Sequence, residues 1–181
     1  NSFDQSPLHV YHWPSQSITP SKVVLIIHGM MEHGRRYTEF GQYLSEHNIA
    51  VYAYDQRGHG QTAPNPNSLG ILNGNWETLV KDAQHVIRTI SAKYSGIPVV
   101  ILGHSMGSYV AQHLAALYGN HLAGLILSGT SKETPLDVFF GSLVASFFTN
   151  NIGANKKANL IHNIIFSKFN NRYFIFIFFR L

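Results

Sequence analysis

Short unbroken apolar runs alternate along this chain with longer segments whose apolar residues recur every three or four positions. Val23-Val24-Leu25-Ile26-Ile27 stops hard at His28-Gly29, the pattern of a strand buried on both faces of a parallel sheet. Tyr37 to His47 is predicted as a helix, with Phe40, Tyr43 and Leu44 at i, i+3 and i+4 forming its apolar face. Ala50 to Tyr54 is the next strand, ended by the glycine-punctuated run Asp55-Gln56-Arg57-Gly58-His59-Gly60. A surface loop over 61–74 leads to a helix from Trp76 to Tyr94, whose buried stripe is Val80, Ala83, Val86, Ile87 and Ile90. Pro98 to Leu102 is a third buried strand, Ser105 to Tyr118 a third helix and Leu122 to Leu127 a fourth strand. Leu8 to Trp13 alternates polar and apolar and predicts an edge strand.

Strands alternating with helices of this length imply βαβ units and an α/β fold, with a mostly parallel sheet and helices on both faces. Ligands bind such sheets beyond the carboxyl ends of the strands. The chemistry is therefore expected at 28–31, 55–61, 103–107 and 128–133.

Composition narrows the function classes. With 181 residues, 45% of them hydrophobic and 12% charged, the chain has the balance of one packed domain. Its formal charge of +4 is a tail effect, because all nine acidic residues precede position 138 while Lys156, Lys157, Lys168, Arg172 and Arg180 follow it. Lys and Arg are scattered rather than lined up along a face, which argues against a nucleic-acid partner. The absence of cysteine removes disulfides, thiolate metal sites and cysteine nucleophiles together. No apolar stretch reaches the length of a spanning helix. Residues 1–20 lack the charged start and apolar run of a signal peptide.

Gly103-His104-Ser105-Met106-Gly107 matches the G-x-S-x-G nucleophile elbow, in which a serine stands on a sharp strand-to-helix turn with its hydroxyl exposed above the sheet. As a bare pattern it is weak; the strand directly before it and the helix directly after it make it specific. Gly103 and Gly107 are needed because a side chain at either would crowd the neighbouring strand or helix. Acyl transfer puts negative charge on a carbonyl oxygen, and that charge needs preorganised donors. Two backbone N–H groups are candidates: Met106, at a helix N-terminus, and Met30, in the loop after the first buried strand, where Gly29 allows close approach. No cofactor and no metal is implied.

Three segments carry a family resemblance: His28-Gly29-Met30-Met31-Glu32-His33 with Arg36-Tyr37, Asp55 through Thr62, and Leu102 through Ser108. On these, residues 8–172 resemble the monoacylglycerol lipase and lysophospholipase branch of the α/β-hydrolases, also called the serine aminopeptidase S33-like group. The resemblance implies a serine esterase acting on acyl glycerols or lysophospholipids, with Ser105 as nucleophile and the Met30 and Met106 N–H groups as oxyanion hole. It also implies a cap after the strand at 122–127, so the expected domains are a hydrolase core at 1–132, a partial helical cap at 133–174 and an apolar tail at 175–181. The cap run Val138-Phe139-Phe140 through Phe147-Phe148 favours a lipid-like acyl chain over a polar substrate and reads equally well as plain cap core; the expected partner is a small-molecule lipid-like ester, with peripheral membrane contact through the cap, and the expected location is cytoplasmic or membrane-peripheral. Nothing in the residues assigns an oligomeric state.

Other motif residues are expected to be structural: Arg57 and His59 as hydrogen-bonders beside the elbow, Glu32 with Arg35 or Arg36 as a surface or loop pair, and His104 as an elbow residue turned away from the reacting carbonyl. His28 and His33 are expected to border the pocket. In this fold the acid and the base follow the serine in the order Asp or Glu, then His. After Ser105 the acids are Glu133 and Asp137 and the histidines are His113, His121 and His162. Asp137 and His162 fall in the cap-like stretch, and His113 lies two helical turns away, roughly 12 Å along the axis. The expectation is therefore a chain missing the last strands and impaired by loss of the triad Asp and His. The charge-free run Tyr173 to Phe179 has an aggregation signature rather than the pattern of a designed element. Two other readings stay open: a non-catalytic hydrolase-like binding module, and a peptidase or thioesterase on the same scaffold. Ser105 excludes dehalogenase and epoxide hydrolase chemistry, which place an aspartate at the elbow.

Overall fold

A computed structural model of the chain describes residues 1–131. Its elements are β1 (Val10–Trp13), β2 (Lys22–Ile27), α1 (Thr38–Glu46), β3 (Ile49–Tyr54), α2 (Trp76–Lys93), β4 (Val99–His104), α3 (Met106–Tyr118) and β5 (Gly124–Ser128). Each predicted strand and helix is present, with bounds shifted by one or two residues. The expected cap and tail lie outside the described residues.

The sheet runs β1-β3-β2-β4-β5. Only β1, at the edge, is antiparallel to its neighbour; the other pairs are parallel. Register aligns the carboxyl ends, with Ile27 opposite both Tyr54 and Gly103, and His104 opposite Ser128. Side chains on one sheet face pack with α2 and α3 into the larger core, built on Leu25, Tyr54, Ile101 and Leu114. The opposite face, Val24, Ile26, Val51 and Ala53, is covered by Trp13, Tyr37 and Leu44. Because β2 leads to one neighbour and β4 to the other, the loops that leave these adjacent strands diverge. This is the switch point at which sheets of this kind take their ligands.

The predicted stripe of α2, Val80, Ala83, Val86, Ile87 and Ile90, is buried. An Asn75–Thr78 capping box starts that helix, Asn75 Oδ1 accepting from the Thr78 N–H at 3.0 Å and Thr78 Oγ1 from the Asn75 N–H at 3.2 Å. The expected face of α1 is corrected. Phe40 and Tyr43 are exposed, and the helix packs through Gly41 and Leu44. The Trp13 ring occupies the space over Gly41, where a Cβ would come within 2.6 Å of Trp13 Cδ2. Apolar periodicity cannot register a contact made through a residue without a side chain.

Candidate active site

Ser105 joins β4 to α3 at φ 49° and ψ −120°, a left-handed conformation that costs a non-glycine residue about 1–3 kcal/mol. Its neighbours hold it there. The Ser105 N–H donates to Ser128 O at 2.8 Å, tying the turn to β5. Its carbonyl accepts both the Ser108 N–H at 2.8 Å and the Ser108 hydroxyl at 2.6 Å. The serine itself is half-buried, leaving access to it.

Three glycines allow this crowding. A Cβ at Gly103 would lie 2.5 Å from Gly107 O and 2.7 Å from Ser108 Cα, and one at Gly107 would overlap Ile27 O. At Gly29 a Cβ would reach Ser105 Cβ at 3.0 Å and His104 Cδ2 at 3.3 Å. The loop after β2 therefore lies directly against the serine. Met30 follows it with 43% of its surface exposed, and Met31, 57% exposed, has φ 63°. Met106 is the first residue of α3, where backbone N–H groups have no intrahelical acceptor.

The four expected loops meet. His104 Nδ1 lies 3.1 Å from Ser128 Oγ, and Gly29 and Gly129 approach its ring from the loops after β2 and β5. His28 is fully buried, which corrects the expectation that it borders the pocket. Its Nδ1–H donates to Gly29 O at 2.7 Å while Nε2 accepts the Gln56 N–H at 2.9 Å, so both nitrogens are committed to backbone. Burial pushes its pKa down to about 4, which keeps the ring neutral. His33 is exposed.

Asp55 organises the second loop. Its Oδ1 accepts the Gly34 N–H at 2.7 Å, and its Oδ2 accepts the Gln61 N–H at 2.7 Å and the Tyr11 hydroxyl at 3.1 Å. Arg57 is structural, as expected: Nε donates to Asp82 Oδ2 at 2.7 Å and Nη2 to Asp82 Oδ1 at 3.0 Å. His59 Nδ1 sits 2.9 Å from Arg57 O, and burial pushes the His59 pKa down.

Glu32 pairs with Arg36, as expected, as a loop pair rather than a surface one. It is buried, and its Oε1 accepts the Gly29 N–H at 2.5 Å and the Tyr37 hydroxyl at 2.8 Å, with Arg36 Nη1 at 3.0 Å from Oε2. A surface ion pair would not have taken a backbone donor. Glu32, Ser108 and Ser128 are the site residues that motif reading passed over. Ser108 carried a signal, since a serine three residues after a turn can bond back to the turn carbonyl. Ser128 carried none.

His113 does not approach the serine as a base. Its Nδ1 accepts the Trp76 indole N–H at 3.0 Å. Glu133, Asp137 and His162 lie outside the described residues. Among the described residues no group of three or more His, Asp or Glu is placed to hold a metal ion, and no helix is long and apolar enough to cross a membrane.

A strained serine between a parallel strand and a helix, at the switch point of the sheet, agrees with what the comparisons return. Residues 18–166 match the family model described as serine aminopeptidase, S33. The chain belongs to this hydrolase family. The monoglyceride lipase of Rattus norvegicus is 32% identical over 124 residues, 68% of this chain and 39% of that protein. The monoglyceride lipase homolog of Monkeypox virus is 34% identical over 128 residues, 70% of this chain and 44% of that protein. Among solved structures, a thermostable carboxyl esterase from Bacillus coagulans superposes with a TM-score of 0.75 at 28% identity, covering 89% of this chain and 52% of that one. A soluble variant of monoglyceride lipase from Saccharomyces cerevisiae gives 0.68 at 26% identity, covering 83% and 51%. The fold is that of the α/β-hydrolases. The chain spans about two fifths of the length of these curated relatives and about half of the solved structures.

Proposed function

We propose that Ser105 is the nucleophile of a serine ester hydrolase whose substrates are monoacylglycerol- or lysophospholipid-like. The observation that carries this reading is the seat of Ser105, at φ 49° and beside Gly29, where an added Cβ would come within 3.0 Å of Ser105 Cβ. The hydroxyl oxygen attacks the ester carbonyl, and the carbonyl oxygen takes the negative charge. The N–H groups of Met30 and Met106 receive that oxyanion, one from the loop beside the serine and one from the start of α3. The tetrahedral species collapses to an acyl-serine as the glycerol-type alcohol leaves with a proton, and water then releases the fatty acid and restores the serine. The alcohol is assigned from the relatives named monoglyceride lipase and from the yeast protein solved with a substrate analog.

The serine proton needs a base, and the base needs an orienting acid; in this fold both follow the nucleophile in the chain. We place them outside the described residues, since His113 is engaged by Trp76. A lipid-like acyl chain would rest near the exposed Met30 and Met31 side chains.

The test is active-site labelling with a fluorophosphonate, together with hydrolysis of a short-chain ester and of a monoacylglycerol. Wild-type chain should form a serine adduct at position 105, and Ser105→Ala should abolish it. Equal labelling of the two proteins overturns the assignment. Lipid binding that persists in Ser105→Ala, with no adduct on the wild type, supports the binding-module reading in its place.

A further inference from the structure

The loop that packs against Ser105 has no regular secondary structure of its own from His28 to His33. It also carries a non-glycine residue in the left-handed region, Met31 at φ 63°. Something must hold it, because a donor loop displaced by 1 Å loses much of its effect on a transition state. The Glu32 carboxylate sits at the centre of the turn. Its Oε1 takes the N–H of Gly29, where an added Cβ would come within 3.0 Å of Ser105 Cβ, and the same oxygen takes the Tyr37 hydroxyl.

The partners are not equal. Arg36 has a side chain 71% exposed, and an ion pair in that setting contributes little. Tyr37 is held by the sheet face behind it, in contact with the smaller core. Its burial and the adjacent carboxylate hold the phenol protonated well above its ordinary range, so it remains a donor. Tyr37 therefore fixes Glu32, and Glu32 fixes Gly29. The Gly29 N–H, part of the 28–29 peptide, is spent on this bond, and the next peptide, which carries the Met30 N–H, is held through its Gly29 carbonyl by His28 Nδ1 at 2.7 Å.

We infer that Glu32 is a positioning residue that holds the 29–31 loop against Ser105 by accepting the Gly29 N–H, with Tyr37 as its anchor. It touches no reacting atom. This rests on the proposed esterase reading only for its catalytic consequence; the loop-holding itself does not depend on it.

The test uses the full chain as wild type, Glu32→Ala, Glu32→Gln and Tyr37→Phe, with two measurements. Fluorophosphonate labelling of Ser105 is resolved into the maximal rate and the half-saturating probe concentration. Glu32→Ala is expected to lower the maximal rate about 10- to 100-fold with little change in half-saturation. Glu32→Gln keeps an acceptor for Gly29 and should stay within about threefold of wild type. Hydrogen exchange of the peptide covering 28–34 should quicken about tenfold in Glu32→Ala while β4 and α3 exchange as before. A wild-type maximal rate, unchanged loop exchange, or equal impairment of the Ala and Gln variants overturns the inference. If Glu32→Ala does not fold, Tyr37→Phe decides: about a threefold or greater slowing at constant half-saturation supports it, and a wild-type rate sinks it. If wild-type Ser105 takes no label, the esterase reading has failed, and the exchange comparison alone settles the part played by Glu32.

Discussion

The Arg57 guanidinium meets the Asp82 carboxylate side-on, Nε at 2.7 Å from Oδ2 and Nη2 at 3.0 Å from Oδ1, with both side chains buried. The same Nη2 reaches Ser2 Oγ and Asp4 Oδ1, each at 2.8 Å, and so pins the N-terminal segment to the loop after β3. Asp82, and then Asp4, hold the guanidinium protonated still more firmly than usual.

Removing one partner of this buried pair should be costly. Asp82→Ala is expected to lose about 3–5 kcal/mol of stability, because it strands a buried cation. Asp4→Ala should lose far less, since its side chain is 39% exposed and Arg57 keeps Asp82 as a partner. Urea unfolding midpoints of the two variants check the order.

Stability should fall on mild acidification. The folded pKa of His28 is about 4 against an ordinary 6.5, and burial lowers that of His59 in the same direction. The unfolded chain therefore binds more protons than the folded one below pH 6.5. Stability is complete above that value and declines as the pH drops toward 4, by about 3 kcal/mol for His28 alone. Unfolding measured at pH 7.5, 5.5 and 4.5 should show this slope, and His28→Gln should flatten it.

Alanine at two glycines should have opposite outcomes. At Gly107 the added Cβ would overlap Ile27 O, and a cost of about 3 kcal/mol or more is expected. At Gly119 no atom lies within 4 Å and φ is −54°, so alanine should be neutral or stabilise by up to about 1 kcal/mol. Chemical denaturation reads both.

Ser105→Gly should separate stability from chemistry. Glycine accepts φ 49° without penalty, so the variant is expected to gain about 1 kcal/mol while losing all adduct formation. A thermal shift to lower temperature would contradict the backbone strain assigned to the elbow.

His113→Phe should leave adduct formation at Ser105 within about twofold of wild type, because the imidazole is bonded to Trp76 and out of reach of the serine. A large loss would return His113 to the list of candidate bases.

The framework was legible because the four parallel strands are built on continuous apolar runs bounded by glycine or polar residues, and the edge strand β1 on alternation. The α2 stripe has strict helical spacing, and the elbow needs two glycines at fixed offsets. What stayed hidden was contact made without a patterned side chain. Trp13 lies over Gly41, which turned α1 away from its apparent apolar face. The pairing of Glu32 with a nearby arginine was legible, but its bond to the Gly29 N–H was not, since a carboxylate that accepts a backbone N–H leaves no trace in spacing. The many histidines gave no metal pattern, and several are accounted for singly: His28, His59, His104 and His113 each have a ring nitrogen within hydrogen-bond reach of a partner inside the fold.

Every group found to fix the Ser105 backbone, from Ile27 beneath Gly107 to Ser128 across the sheet, has been translated by the time the chain reaches Ser128. All the determinants found for the nucleophile's seat thus lie in the first 128 residues. A variant of the first 128 residues is therefore expected to act on how the serine is held, and one elsewhere is expected to act by another route.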